Sequence, residues 1–299
     1  MKGITGLFLL LVLGVAGFVG AARVSASAHF QRPCRHKACT TTTTTTGGGS
    51  RYTHVVWIVM ENHSYSQIIG SSSAPYINSL AKTYGNAAEM YGESHPSLPN
   101  YIAMTSGGTQ GITDDNGPSA HPLSVPSIFS QLGTGARSLE ESMPSNCDKS
   151  SSGNYAVRHN PEAYYINLNG ACSANDVPLG STPNISAKFT FITPNLCDDM
   201  HNCSVATGDT WLKGFVPKLL ATSQYTSGTT VIFLTWDEDN GSSGNHIPTI
   251  VISPTTKAIS SSTKFTHYSM LRTTEEILGL PRIGAAQTAN DMLSAFNLG

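Results

Sequence analysis

Two apolar runs, each broken at its carboxyl end by acidic or amide residues, constrain this chain more than any other feature. One occupies 54–60 and runs into Glu61-Asn62; the other occupies 229–236 and runs into Asp237-Glu238-Asp239. Both are too continuously apolar and β-branched for a strand with one wet face, so they read as strands buried on both faces of a parallel sheet. Open α/β sheets gather their ligands beyond the carboxyl ends of such strands, which makes the two acidic endings the place to look for chemistry. Between them, Glu93-Ser94-His95-Pro96-Ser97-Leu98-Pro99-Asn100-Tyr101 is a hydroxyl-rich turn opening into a helix.

The rest of the chain alternates. The pattern predicts a helix over 74–84, a strand over 87–91, a helix from near Leu98, a short helix over 127–132 and a strand over 188–192. A helix over 209–221 follows, with Trp211, Leu212, Phe215, Leu219 and Leu220 as its apolar residues in spite of Pro217. After the strand at 229–236 come a strand over 248–252 and a helix over 268–278, closed by Gly279 and Pro281. This order predicts an α/β fold, a largely parallel sheet with helices on both faces. Residues 51–299 suffice for one well-cored domain and are too few for two clear ones.

The amino-terminal 50 residues do not belong to that core. Lys2 precedes an apolar run over 4–19, and Ala26-Ser27-Ala28 offers the small residues of a cleavage site, so 1–28 reads as a secretory signal. The run falls short of the ~20 apolar residues that span a bilayer; no stable membrane insertion is expected after cleavage. A Thr run over 40–46 and Gly47-Gly48-Gly49-Ser50 have no apolar periodicity, which marks 29–50 as a spacer. An exported chain meets an oxidising compartment. The simplest pairing of its six cysteines is local: Cys34 with Cys39, Cys147 with Cys172, and Cys197 with Cys203. No pair has the two-residue spacing of a zinc clip.

Charge excludes one class of function. The chain carries 17 Lys and Arg against 19 Asp and Glu, and removing Lys2 and Arg23 with the signal leaves 15 against 19, a balance of −4. Such a protein has no global field for nucleic acid, so nucleic-acid binding is not expected. An anionic substrate would have to be drawn by a local cation.

The hard oxygen donors at the strand ends suit one. Glu61 and Asn62 on one loop and Asp237 and Glu238 on another would converge on a divalent ion, although a capping pair and an exposed acidic turn are the plainer readings of the same residues. Ser97 at a helix start meets orphan N–H groups that suit a phosphoryl oxygen and a developing alkoxide; as an N-cap it would need no chemistry at all. Ser94 is the alternative hydroxyl. His95 adjoins Ser97, His159 follows Arg158, His201 ends Asp199-Met200-His201, and His246 follows the turn after Asp239. Asp199 with His201 would bind a second metal or orient phosphate, His159 would protonate a leaving oxygen, and Arg158 would clamp a phosphate oxygen.

Four ordered motifs carry a family likeness: Met60-Glu61-Asn62-His63-Ser64-Tyr65, Ser94-His95-Pro96-Ser97-Leu98-Pro99-Asn100-Tyr101, Asp199-Met200-His201 and Thr235-Trp236-Asp237-Glu238. They resemble, over nearly all of 51–299, the phosphoesterase family of bacterial secreted acid phosphatases and phospholipases C, within the alkaline-phosphatase-like superfamily. The short actinobacterial secreted acid phosphatases look most similar. The resemblance implies a metal-dependent α/β hydrolase with a hydroxyl nucleophile. Residue chemistry and the resemblance together give Ser97, His95, Asn100, Arg158 and His159 as the candidates for catalysis, and Glu61, Asn62, Asp237, Glu238, Asp199, His201 and His246 as those for metal; Arg158, His159 and His246 stand outside the four motifs and rest on residue chemistry alone.

The expected reaction is in-line attack by Ser97 on a phosphomonoester, a small molecule or a lipid headgroup, through a phosphoserine intermediate. An oxygen-rich ligand set suits Ca²⁺, Mg²⁺ or Mn²⁺, and added histidine moves the preference toward Zn²⁺. A phospholipase C-type phosphodiesterase is the alternative chemistry. A serine esterase lacks its Gly-x-Ser-x-Gly elbow here. A non-catalytic secreted binding protein would leave the convergent ligands without purpose.

Overall fold

A computed structural model describes residues 50–299. The signal segment, nearly all of the spacer and the Cys34–Cys39 pair lie outside the described residues. Nine strands form one sheet: β1 (His54–Met60), β2 (Gly85–Tyr91), β3 (Ala136–Glu140), β4 (Asp176–Pro178), β5 (Phe189–Thr193), β6 (Thr230–Trp236), β7 (His246–Ile247), β8 (Thr249–Ile252) and β9 (Ile259–Thr266). Their order is β4-β3-β5-β1-β6-β8-β2-β7, with β9 also paired to β2.

From β4 to β6 every neighbour is parallel. The sheet becomes mixed at β8, which runs antiparallel to β6 and to β2. Residues Val55–Met60 and all of β6 are buried, so both faces of the central strands are covered, as their unbroken apolar runs require.

Among the described residues, five helices longer than four residues provide the cover: α1 (Pro75–Thr83), α2 (Ser97–Ser106), α3 (Ile128–Leu132), α4 (Val205–Leu220) and α5 (His267–Leu278). Helix α1 packs on α4, and α2 packs on α5. All ten residues of α2 are buried; it packs against α5, α3 and the short helical turns that follow β3. Trp57 fixes the layering at the centre: its indole meets Phe189 edge to face at 4.9 Å and donates to Thr274 Oγ1 of α5 at 3.1 Å.

Three strands escape the hydrophobic pattern. In β9 only Ile259 and Phe265 are large and apolar among Ser, Thr and Lys, as suits a strand paired on one side only; β3 begins Ala-Arg-Ser, and β4 has three residues. Helix α4 starts at Val205, four residues before the predicted Asp209, because Ser204 caps it by accepting from Thr207 N. Disulfides join Cys147 to Cys172 and Cys197 to Cys203, the local pairs expected. Among the described residues no helix is long and apolar enough to cross a membrane.

Candidate active site

Parallel registry of β1 and β6 places Met60 beside Trp236, so Glu61 and Asp237 leave the sheet side by side. Asp237 N donates to Met60 O at 3.0 Å, and Asp237 Oδ1 accepts from Asn62 N at 3.1 Å. The chain turns at Asn62 in the left-handed region, φ 48°, which asparagine tolerates better than most residues. Glu61 N donates to Asp199 O at 2.9 Å, bringing the loop after β5 against the same strand end. That loop is held on α4 by Gly208, where a Cβ would fall 2.5 Å from Met200 Cγ and 2.9 Å from Asp198 O.

The serine turn ahead of α2 is built by Asn100. Its Oδ1 accepts from Glu93 N and Ser94 N, both at 2.9 Å, while its Nδ2 donates to Ser94 O, Pro96 O and, at 3.3 Å, Glu238 Oε2. Both polar atoms of that side chain are thus hydrogen-bonded, mostly within the turn. Gly92 lets the turn approach β6, since a Cβ there would lie 2.8 Å from Asp237 O. The result puts Ser97, first residue of α2, with its hydroxyl donating to Glu61 Oε2 at 3.0 Å. Ser94 Oγ instead donates to His95 O at 3.2 Å.

Around Glu61 the acids are buried and close. Burial, and then the neighbouring Asp237 and Asp199, hold Glu61 well above the ordinary carboxyl range. Burial likewise raises Asp237 to about 7, Asp199 to about 8 and Glu238 to about 9. His159 is pushed the other way, well below the usual imidazole range, by burial and then by Arg158 and His201. Its nitrogens approach Glu61 Oε1 and Asp199 Oδ2 at 3.4 Å each; with the ring neutral these are not ion pairs.

Those residues fit a divalent cation. His159 Nε2, Asp199 Oδ2 and Asp237 Oδ2 are buried without a hydrogen-bond partner, a costly condition that coordination relieves. Glu61, His159 and His201 each present a ligand atom within 4.8 Å of the others. The Asn62 amide end lies 3.1 Å from Glu238 Oε1 and 3.2 Å from Glu61 Oε2. With nitrogen there it donates twice; with oxygen there it adds another donor atom toward a cation.

Two expectations change. His246 stands apart from this group: its Nε2 meets Ala88 O at 2.9 Å, and its ring is stacked on Tyr65 and Tyr91, so β7 pairing turns it toward β2 instead of toward the metal-type residues. His159 is only 1% exposed and faces Glu61 and Asp199, which groups it with the buried metal-type residues rather than on the solvent side where a leaving-group acid is expected. His95 can, with Nδ1 2.8 Å from Glu238 Oε2 and 44% of its side chain exposed. Arg158 Nη2 lies 3.1 Å from His201 Nε2, at the rim. The sequence reading also missed Tyr101, which donates to Glu61 Oε1; its place four residues after Ser97, on the same helical face, was the available signal.

Residues 71–281 match the model of the Phosphoesterase family. The chain belongs to that family. It is a phosphoric ester hydrolase of α/β fold. It is 34% identical over 247 residues to the phosphatidylinositol-3-phosphatase of Mycobacterium tuberculosis, a match covering 80% of this chain and 81% of that protein. It is 27% identical over 257 residues to an acid phosphatase of Aspergillus fumigatus, covering 77% of this chain but 55% of the longer fungal protein. A Vibrio parahaemolyticus protein of the alkaline phosphatase superfamily superimposes with a TM-score of 0.56 at 12% identity, over 80% of this chain and 72% of that one.

Proposed function

We propose that this phosphoesterase is a secreted, metal-dependent acid phosphatase that cleaves phosphomonoesters through a phosphoserine on Ser97. The observation that carries the reading is the Ser97 hydroxyl, at the first turn of a buried helix, bonded at 3.0 Å to a carboxylate of the acidic group. Glu61, Asn62, Asp237 and Glu238, with Asp199, His159 and His201, would hold the cation. When bound it supplies Lewis-acid stabilisation to the nucleophile and to phosphoryl charge. Two imidazoles among the donors favour Zn²⁺ over Ca²⁺.

Glu61 Oε2 takes the hydroxyl proton as Ser97 Oγ forms its bond to phosphorus and the ester P–O bond breaks. His95, which joins Glu238 to the solvent side, gives a proton to the leaving oxygen. Arg158 binds a phosphoryl oxygen. Water, giving a proton to His95, then attacks the phosphoserine; the P–O bond to Ser97 breaks as Glu61 returns its proton to Ser97 Oγ, and phosphate is released. The likeness to a phosphatidylinositol-3-phosphatase favours the phosphorylated headgroup of an inositol lipid as the substrate to try first. Chelator-treated protein should lose turnover of monoesters and regain it with one divalent metal, and acid-quenched protein should carry phosphate on the peptide containing Ser97. Undiminished turnover in metal-free protein would overturn the proposal.

A further inference from the structure

The nucleophile helix already holds an anion, supplied by the chain itself. Leu98 N–H, next to Ser97 in the first turn of α2, donates to Asp115 Oδ1 at 2.9 Å. The other oxygen of that carboxylate, Asp115 Oδ2, is 3.9 Å from Arg158 Nε. A carboxylate between a first-turn amide and a guanidinium occupies the position, and uses the partners, that a phosphoryl oxygen would use beside Ser97. Asp115 comes from the surface loop after α2 and its side chain is 36% exposed, so it can leave without disturbing the core. Its negative charge also stands near Glu238, in a group already rich in acids, where a neutral capping residue would serve the helix equally well.

We infer that Asp115 is a specificity-determining residue: it keeps the anion seat at the start of α2 until a phosphoryl group displaces it, and it selects singly charged phosphoryl groups over doubly charged ones. Displacement weakens the binding of every phosphoester. The displaced carboxylate remains nearby and repels a dianion about twice as strongly as a monoanion. Monoesters carrying one charge, as under acid conditions, and diesters are therefore favoured relative to the monoester dianion. This rests on the assignment of Ser97 as nucleophile.

The test is Asp115→Asn, with Asp115→Ser as a second variant; both side chains keep an oxygen for Leu98 N–H, so a helix cap alone survives either change. Calorimetric titration of inorganic phosphate into metal-loaded protein at mildly alkaline pH should show about tenfold tighter binding in the variants. KM for an aryl phosphate dianion should fall by a similar factor, and KM for a singly charged diaryl phosphate by less than about threefold. Phosphate affinity and KM unchanged in whichever variant folds would overturn the inference. Absence of phosphoester turnover in the unaltered protein would instead overturn the proposed function, while the phosphate titration still reads Asp115.

Discussion

Tyr101 lies face to face on His159, with ring centroids 5.3 Å apart and planes within 9° of parallel. The same tyrosine donates its hydroxyl to Glu61 Oε1 while Ser97, one helical turn earlier, donates to Glu61 Oε2. One face of α2 thereby orients the Ser97 hydroxyl, a carboxylate and an imidazole together. Such outer partners typically govern metal affinity by 10–100-fold. Tyr101→Phe keeps the stack and removes the hydrogen bond, so it is expected to weaken metal binding by at least about tenfold, read by titrating metal into chelator-treated protein. Equal affinity in the variant would show that the stack alone suffices.

Histidine replacement separates the two imidazoles whose placement departs from the sequence expectation. His159→Ala should abolish stoichiometric metal and most turnover, because it deletes a buried donor between Glu61 and Asp199. His246→Ala, changing a ring stacked on Tyr65 and Tyr91, should keep its metal. Elemental analysis of both proteins after dialysis decides the matter, and metal loss in His246→Ala would contradict the geometry.

Serine replacement tests the nucleophile. Ser97→Ala should retain metal and turn over orders of magnitude more slowly, whereas Ser94→Ala removes only a bond to its neighbour's carbonyl and should be mild. Phosphate trapped on Ser94, or near-normal rates in Ser97→Ala, would assign the attack elsewhere.

A second buried acid cluster predicts how stability depends on pH. Glu140, Glu162 and Asp176 are at most 1% exposed, and each has one oxygen without a partner. Asn160 and Ser138 satisfy part of the cluster, Asp148 adds charge beside Asp176, and Arg137 acts favourably on Glu162. Burial raises Glu162 to about 8 and Asp176 to about 7, and holds Glu140 well above the usual range. The folded state therefore keeps protons that the unfolded chain releases. The stabilisation is present below the ordinary carboxyl values and is lost as pH rises through the raised ones. Urea midpoints of metal-loaded protein should fall from pH about 5 to about 8, and Glu162→Gln should flatten part of that slope. A slope identical in the variant would exclude Glu162 as a contributor.

The Cys147–Cys172 bridge borders that cluster, with Cys172 Sγ 3.8 Å from Asp176 Oδ2. Replacing both cysteines by serine should cost about 2–5 kcal/mol in urea unfolding. Loss of less than about 1 kcal/mol would mean that the loop carrying Arg158 and His159 is held by packing alone.

The sequence by itself determined the central strands β1 and β6, the acidic residues at their ends and the serine turn, since burial on both faces leaves a local, continuous signature and turn chemistry is written in neighbouring residues. Local pairing also anticipated both bridges. Strands β3 and β9 were not legible, because a short or one-sided strand needs no long apolar run. Only the tertiary structure decided which polar residues meet. Glu61, His159, Asp199 and Asp237 converge because β3, β5, β1 and β6, the strands they follow, are neighbours in the sheet, a relation between distant segments that no periodicity encodes. The same pairing, two strands farther on, carries His246 to β2 and away from the metal-type residues its sequence neighbours suggested.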